Sequence, residues 1–275
     1  MAYLPLRLPR NTILGVLLML TSLCAYSDVQ KLILTGSSTV APLTAEIAKR
    51  FEAQNPGVRV DVQSGGSSRG IADARSRLAD IGLVSRALKP DEQDLKSFTI
   101  ALDGIGLIVH RDNPVQTLTD AQIVAIYTGR ITNWRDVRGA DRPITVVNKA
   151  EGRSTLELFL HHFQLKNSDI KAQVVIGENQ QGIKTVAGNP GAIGYVSIGT
   201  AEYEAAQGAP IRLLPMAGVA ASVKNVRNGS FPLARPLNLV TQAEPEGLVK
   251  HFIEFARSKA QDDLVEAQYF VPLAR

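Results

Sequence analysis

Three turns in this sequence pair glycine with small hydroxyl residues and open directly into a helical pattern. They are Gly36-Ser37-Ser38-Thr39, Gly65-Gly66-Ser67-Ser68 and Gly152-Arg153-Ser154-Thr155. A helix N-terminus presents backbone N–H groups without intrahelical partners and the positive end of the macrodipole, so it attracts anions. Ser and Thr are also ordinary N-caps, and one such turn carries no ligand information. Three of them, two after strand-like runs, predict helix ends that converge on one multi-oxygen anion. Arg153 stands in a first helical turn, where a cation opposes the macrodipole and a bound anion would offset the mismatch. Ser154 with Glu157 also reads as a capping box, which would spend the Ser154 hydroxyl on its own helix.

A different chemistry is written over the second turn. Gly66-Ser67-Ser68-Arg69-Gly70 matches Gly-x-Ser-x-Gly between a strand and a helix, the setting of a hydrolase nucleophile, with His251 in the right chain order after Ser68. The motif follows only the second strand, however, and no His-Gly-Gly oxyanion loop accompanies it. His161 and His162 are adjacent and cannot share one helical face, so they do not form a metal pair. No catalytic residue, metal or cofactor is expected.

The elements that must position these turns alternate strand and helix. Lys31–Leu34 reads as a strand, followed by a helix burying Val40, Leu43, Ile47 and Phe51 and stopping at Asn55-Pro56-Gly57. Val58–Val62, a helix from about Ser68 to Leu78 and a strand at Asp80–Val84 continue the rhythm. Ile105–Val109 reads as a strand leaving one lobe for another. Thr119 caps a helix through Tyr127, Trp134 packs in the second lobe, and Asp103 beside Gly104 is a turn or hinge residue. Ile144–Val147, a helix with Leu156, Phe159, Leu160 and Phe163, then Val174–Ile176, Gln181–Ala187 and Ala192–Val196 make a second unit. The segment Gly208–Arg235 gives no clear pattern. Leu237–Thr241 returns as a strand, and helices near Glu246–Ser258 and Gln261–Ala267 close the chain. This is an α/β chain with mainly parallel sheets.

The 275 residues allow one large or two modest domains, and 45% hydrophobic with 20% charged residues is an ordinary globular balance. Arg7 and Arg10, the apolar run Ile13–Leu23 and Ala25-Tyr26-Ser27 have the organisation of a secretory signal peptide, residues 1–27. Cys24 is the only cysteine, and Leu23 before it departs from the small residue of a lipoprotein signal, so lipidation is not expected. Cleavage would remove Arg7 and Arg10, with no acid before Asp28, lowering the formal net charge from +4 to +2. That suits a small anion and gives no support for a nucleic-acid surface. A periplasmic or secreted monomer is expected.

In order along the chain stand Thr35-Gly36-Ser37-Ser38-Thr39-Val40-Ala41-Pro42, Ser64-Gly65-Gly66-Ser67-Ser68, Ala79-Asp80-Ile81-Gly82 with Ser85-Arg86, Ala101-Leu102-Asp103-Gly104-Ile105, Ile126-Tyr127-Thr128-Gly129 with Asn133-Trp134, and Gly191-Ala192-Ile193-Gly194-Tyr195. This ordered set resembles the phosphate-binding, PstS-type branch of the periplasmic solute-binding proteins. The resemblance implies a two-lobed periplasmic-binding-protein fold with hinge strands and a cleft, lobe 1 at 28–108, lobe 2 at 109–200, and a return segment 201–275 mainly completing lobe 1. It implies capture of inorganic phosphate or a related oxyanion for the membrane permease of an ABC importer, without chemistry on the ligand. A secreted scavenging, sensing or surface-attachment protein of the same fold stays open beside transport.

Carried over by position, the resemblance places ligand contacts at Ser38, Thr39 and Ser67. The family's Arg-x-x-x-Ser-Gly-Thr turn falls on Lys149 to Thr155. Thr155 is retained, while Lys149, Arg153 and Ser154 replace Arg, Ser and Gly, so either Lys149 or Arg153 supplies the cation. Where many members carry a proton-accepting Asp, this chain has Ser85, followed by Arg86 as a further candidate contact. That exchange implies weaker discrimination of phosphate from sulfate, unless Glu151 or Asp103 supplies the carboxylate.

Overall fold

Strand and helix follow one another through almost the whole of residues 29–274, which the computed structural model describes. The signal peptide and Cys24 lie outside the described residues. The order is β1 (Gln30–Gly36), α1 (Val40–Gln54), β2 (Val58–Ser64), α2 (Ser67–Arg75), β3 (Ile81–Val84) and β4 (Lys96–His110). Then come α3 (Asp120–Tyr127), β5 (Thr145–Lys149), α4 (Ser154–Phe163), β6 (Val174–Ile176), α5 (Asn179–Ala187) and β7 (Ala192–Ser197). The chain ends with α6 (Ile198–Ala206), β8 (Ile211–Leu214), α7 (Val223–Arg227), β9 (Ala234–Thr241), α8 (Gly247–Arg257) and α9 (Asp262–Ala267). No helix among the described residues is long and apolar enough to cross a membrane.

The strands run β2-β1-β3-β9-β4-β7-β5-β6, with β8 beside β4. Pairing is parallel for β1–β2, β1–β3, β5–β6 and β5–β7, and antiparallel wherever β4 or β9 takes part. β4 joins the two halves. Its first part pairs with β9 from Lys96–Thr241 to Gly104–Ala234, and its second part, Ile105–Val109, pairs with β7.

Two lobes follow from how the apolar faces are buried. One core collects Leu34, Leu43, Ile47 and Phe51 from β1 and α1, Leu83 from β3, Leu237 and Leu239 from β9, and Phe252 from α8. These are the 3–4-residue and 2-residue spacings that put apolar groups on one face of a helix or strand. The other core holds Ile105, Leu107, Ile123, Trp134, Phe159 and Tyr195. Trp134 donates its indole N–H to the Gly191 carbonyl at 2.9 Å. Thr119 caps α3 as its sequence suggests: its hydroxyl accepts from Gln122 N, and Gln122 Oε1 accepts from Thr119 N.

The segment expected as a return to the first lobe divides in its packing. Leu214, Met216, Val226, Phe231 and Leu233 are buried in the second core, and the return begins with β9 at Ala234. Likewise the chain crosses within β4 at Gly104–Ile105, ahead of the boundary expected after residue 108. The hinge therefore gathers residues 103–105 against 233–235.

Phe159 is fully buried and stacks on Tyr195 with centroids 3.9 Å apart. Phe159→Ala should destabilise the protein by about 3–5 kcal/mol, read from denaturant unfolding.

Candidate functional site

The three hydroxyl-rich turns meet between the lobes. Ser37, Ser38, Thr39, Gly66, Ser67, Ser85, Arg153, Ser154 and Thr155 surround a tight cavity of about 10 Å³. That is below the roughly 300–1,000 Å³ of drug-sized ligand pockets and suits a small ion. No carboxylate is among these lining residues. A larger, mainly apolar groove beside it shares Ser38, and its one charged side chain is Glu178, which already pairs with Arg153.

Local hydrogen bonding decides which hydroxyls serve helices and which remain for the cavity. The cap of α1 is Ser37: its Oγ accepts from Thr39 N at 3.2 Å and Val40 N at 3.4 Å. Thr39, at the N-cap position itself, makes no side-chain cap, so its hydroxyl is not spent on the helix. The N-caps of α2 and α4, Gly66 and Arg153, likewise make none. The expected Ser154–Glu157 capping box does not form, because Ser154 is the first helical residue instead of the cap. Its Oγ is buried without a hydrogen-bond partner and lines the cavity. A buried hydroxyl without a partner is uncommon and calls for an acceptor.

Ser38, Thr39, Ser67, Ser85, Arg153, Ser154 and Thr155 are thus brought together. Arg86 is not among the lining residues: Glu92 holds its guanidinium bidentately at 2.6 and 2.8 Å, and Glu157 lies 3.0 Å from its Nε. Lys149 lies behind the lining, where its Nζ donates to Asn179 Oδ1 at 2.9 Å. Glu151 accepts from Asn167 and is exposed. Asp103 is buried with Arg235 at 2.9 Å, both side chains 1% exposed.

Arg235 and Asn179 escape a reading of the sequence. Arg235 donates to the hydroxyls of Thr155 (2.9 Å), Thr39 (3.2 Å) and Ser85 (3.4 Å). Asn179 links Lys149 to Thr39, donating to Thr39 Oγ1 at 3.1 Å. The signal for Arg235 was a lone charge beside an apolar strand, opposite another lone charge, Asp103, in the strand that becomes its partner.

The same turns bridge the lobes. Ser68 N donates to Gly152 O at 3.1 Å, and Ser68 Oγ donates to Glu157 Oε1 at 3.1 Å. Lys89 also reaches Glu157, at 2.8 Å. Arg153 donates to the carbonyl of Gly65 in the first lobe and to Gly177 O in the second. Gly66 makes room for that reach: its φ is 99°, and a Cβ there would collide with the Arg153 guanidinium and lie 2.6 Å from Gly152 O. Ser68 has an acidic partner, and His251 packs edge-on against Phe51. Glu157 is itself held by Arg86 and Lys89, and His251 is not paired with Ser68, so these contacts do not assemble the Ser–His pair of a hydrolase.

Two α/β lobes joined at crossing strands, with a small polar site between them, can be compared with known proteins. The model of the PBP superfamily domain matches residues 26–260. The chain belongs to the PBP superfamily. Within it, the phosphate-binding protein PstS of Bacillus subtilis is 27% identical over 247 residues, 88% of this chain and 80% of that protein. A structure from Clostridium perfringens, of a candidate phosphate ABC transporter substrate-binding protein with bound phosphate, is 33% identical. It covers 89% of this chain and all of that one, with a TM-score of 0.82. An ABC-type phosphate transport receptor from Vibrio cholerae is 28% identical over 89% of this chain and all of that one, with a TM-score of 0.73. Its relatives make this a PstS-type member.

In this member of the PBP superfamily, Lys149 is 2% exposed, and its amide partner is neutral. Burial pushes its pKa down to about 7; Arg235 and Arg153 push the same way, and Glu178 opposes them. The unfolded chain holds that proton up to about pH 10.4, so unfolding takes up a proton between about pH 7 and 10. Stability from this group is full above the unfolded pKa and falls as pH drops toward 7, by up to about 1.4 kcal/mol per pH unit. Lys149→Met should therefore raise the melting temperature at pH 7 and flatten its rise from pH 7 to 10, as measured by calorimetric scanning of the anion-free protein.

Proposed function

We propose that this protein captures inorganic phosphate, or a tetrahedral oxyanion of the same shape, between its lobes and delivers it to a membrane-bound, ATP-driven importer. The observation that carries this reading is the buried Ser154 hydroxyl without a partner, in a small cavity ringed by hydroxyls at three helix starts. Oxyanions accept hydrogen bonds on every oxygen, and helix N-termini add favourable potential. The names of the PstS relatives and the phosphate in the Clostridium perfringens structure support the same ligand. Export through the leader, work outside the cytoplasm as a monomer, and release without chemistry belong to this reading.

The anion contacts follow from the lining: the hydroxyls of Ser38, Thr39, Ser67, Ser85, Ser154 and Thr155, with Arg153 at the lobe junction. Lys149 acts from behind through Asn179, and Arg86 serves the latch to Glu157. An anion that touches both lobes favours the closed arrangement by its differential contacts. Calorimetry should detect phosphate binding, and small-angle scattering should give a smaller radius of gyration with phosphate than without. Absence of binding, or an unchanged radius at saturation, would reject capture by closure.

The lining also bears on selectivity. Asp103 Oδ2 accepts from Arg235 and Oδ1 from Gly199 N, while Glu151 faces Asn167, so neither carboxylate is placed to accept a ligand proton. A hydroxyl at Ser85 can donate to hydrogen phosphate and sulfate alike, whereas a carboxylate would confront sulfate with two acceptors. Competition calorimetry should give a preference for phosphate over sulfate under about a thousandfold, and Ser85→Asp should widen it by about tenfold or more. A sharper preference in the wild type, or no gain in Ser85→Asp, would place a proton acceptor elsewhere.

A further inference from the structure

Arg235 is the buried charge whose partners are themselves the lining of the cavity. It stands at the second position of β9, directly across the strand pair from Asp103 on β4, at the point where the chain passes between lobes. Its Nε and Nη2 donate to Asp103 Oδ2 at 3.2 and 2.9 Å. The other edge of the guanidinium addresses three hydroxyls, Thr39 at the N-cap of α1, Ser85 after β3 and Thr155 from α4, so it spans both lobes.

A hydroxyl oxygen that accepts from a guanidinium still has its own proton to donate. Thr39 Oγ1 accepts a second bond from Asn179, and Ser85 Oγ a second from Ser37 at 2.9 Å. With two donors on each oxygen, the protons of Thr39 and Ser85 remain free to be donated into the cavity these hydroxyls line. We propose that Arg235 is the positioning cation of the anion site: through Thr39, Ser85 and Thr155 it fixes inward-pointing hydroxyl donors and holds a positive charge one layer behind the ligand. Asp103 takes the edge of the guanidinium away from the hydroxyls and fixes its orientation. This inference rests on the anion-capture reading and adds a residue that the turns alone do not reveal.

A merely structural ion pair makes a different prediction from a positioning cation. The double variant Asp103→Asn/Arg235→Gln keeps the net charge of the pair at zero. If the pair serves only to balance itself, the folded double variant should bind inorganic phosphate and sulfate as the wild type does. If Arg235 positions the donors, calorimetry should show affinity for both anions reduced by about thirtyfold or more. Arg235→Lys keeps the cation but has one nitrogen for partners in two lobes, and should lose about tenfold or more. Should the double variant fail to fold, the lysine variant decides.

Combined with Thr155→Val, the loss from Arg235→Lys should be less than additive, since both act on one donor. Binding within about threefold of wild type in either folded Arg235 variant, or strictly additive losses with Thr155→Val, overturns the role of Arg235. A wild-type protein that binds neither phosphate nor sulfate instead overturns the anion-capture reading itself.

Discussion

Three cations stand in the wall of one small cavity or directly behind it, with two carboxylates to balance them. Arg235 pairs with Asp103, Arg153 pairs with Glu178, and Lys149 has the neutral amide of Asn179. Like charges in a poorly solvated interior repel far more strongly than in water. Lys149 registers the strain: burial first, and then the two neighbouring guanidiniums, lower its pKa to about 7. The hydroxyl lining is the counterpart. It surrounds the space with groups able to donate and leaves carboxylates behind the wall, so an anion there would relieve the cations and complete the donors together.

The convergence of the three turns was legible in the sequence, and the internal wiring of the candidate site was not. Glycine followed by hydroxyls before an amphipathic helix marks where a chain must turn and expose N–H groups, and those turns do meet between the lobes. Which hydroxyl caps and which faces inward depends on backbone angles that residue types do not encode: Ser37 takes the cap of α1, and Ser154 is one position too late to cap α4. Arg86 was ambiguous for another reason. A long flexible side chain goes to its best carboxylate, and Glu92, six residues on, receives it bidentately. Arg235 ended the one stretch without a readable period. That stretch holds β8, four residues long, and α7, five residues long, both shorter than a periodicity window can resolve. For the same reason the packing of this stretch in the second core was not legible.

The crossing strands do more than connect. Asp103 and Arg235 face each other one residue before β4 and β9 part company, and Ile105 N donates to Leu233 O at 3.0 Å just beyond. The hinge is therefore also the floor of the site. A guanidinium anchored at the pivot would move least if the lobes swing, while Thr39 and Thr155 stand at helix starts in opposite lobes. On the proposed capture reading, closure would bring those hydroxyls to a cation that is already oriented, which would lower the ordering cost of completing the site at the moment of binding.

Arg153 then explains why closure and anion occupancy should be coupled instead of merely coincident. A cation at the start of α4 opposes the helix dipole, and two carbonyls and Glu178 offset it. One of those carbonyls, Gly65, belongs to the opposite lobe, so that offset exists only when the lobes are together. Closing without an anion brings Arg153 into a space already charged by Arg235 and Lys149, and the repulsion works against the hydrogen bonds that form between the lobes. Closing around an anion would turn the same approach favourable, because Arg153 would face a negative group and the two cations behind the wall would be offset by it. On this reading the sign of the energy of closure would be set by what lies between the lobes, and the apolar hinge packing would have only to permit both arrangements.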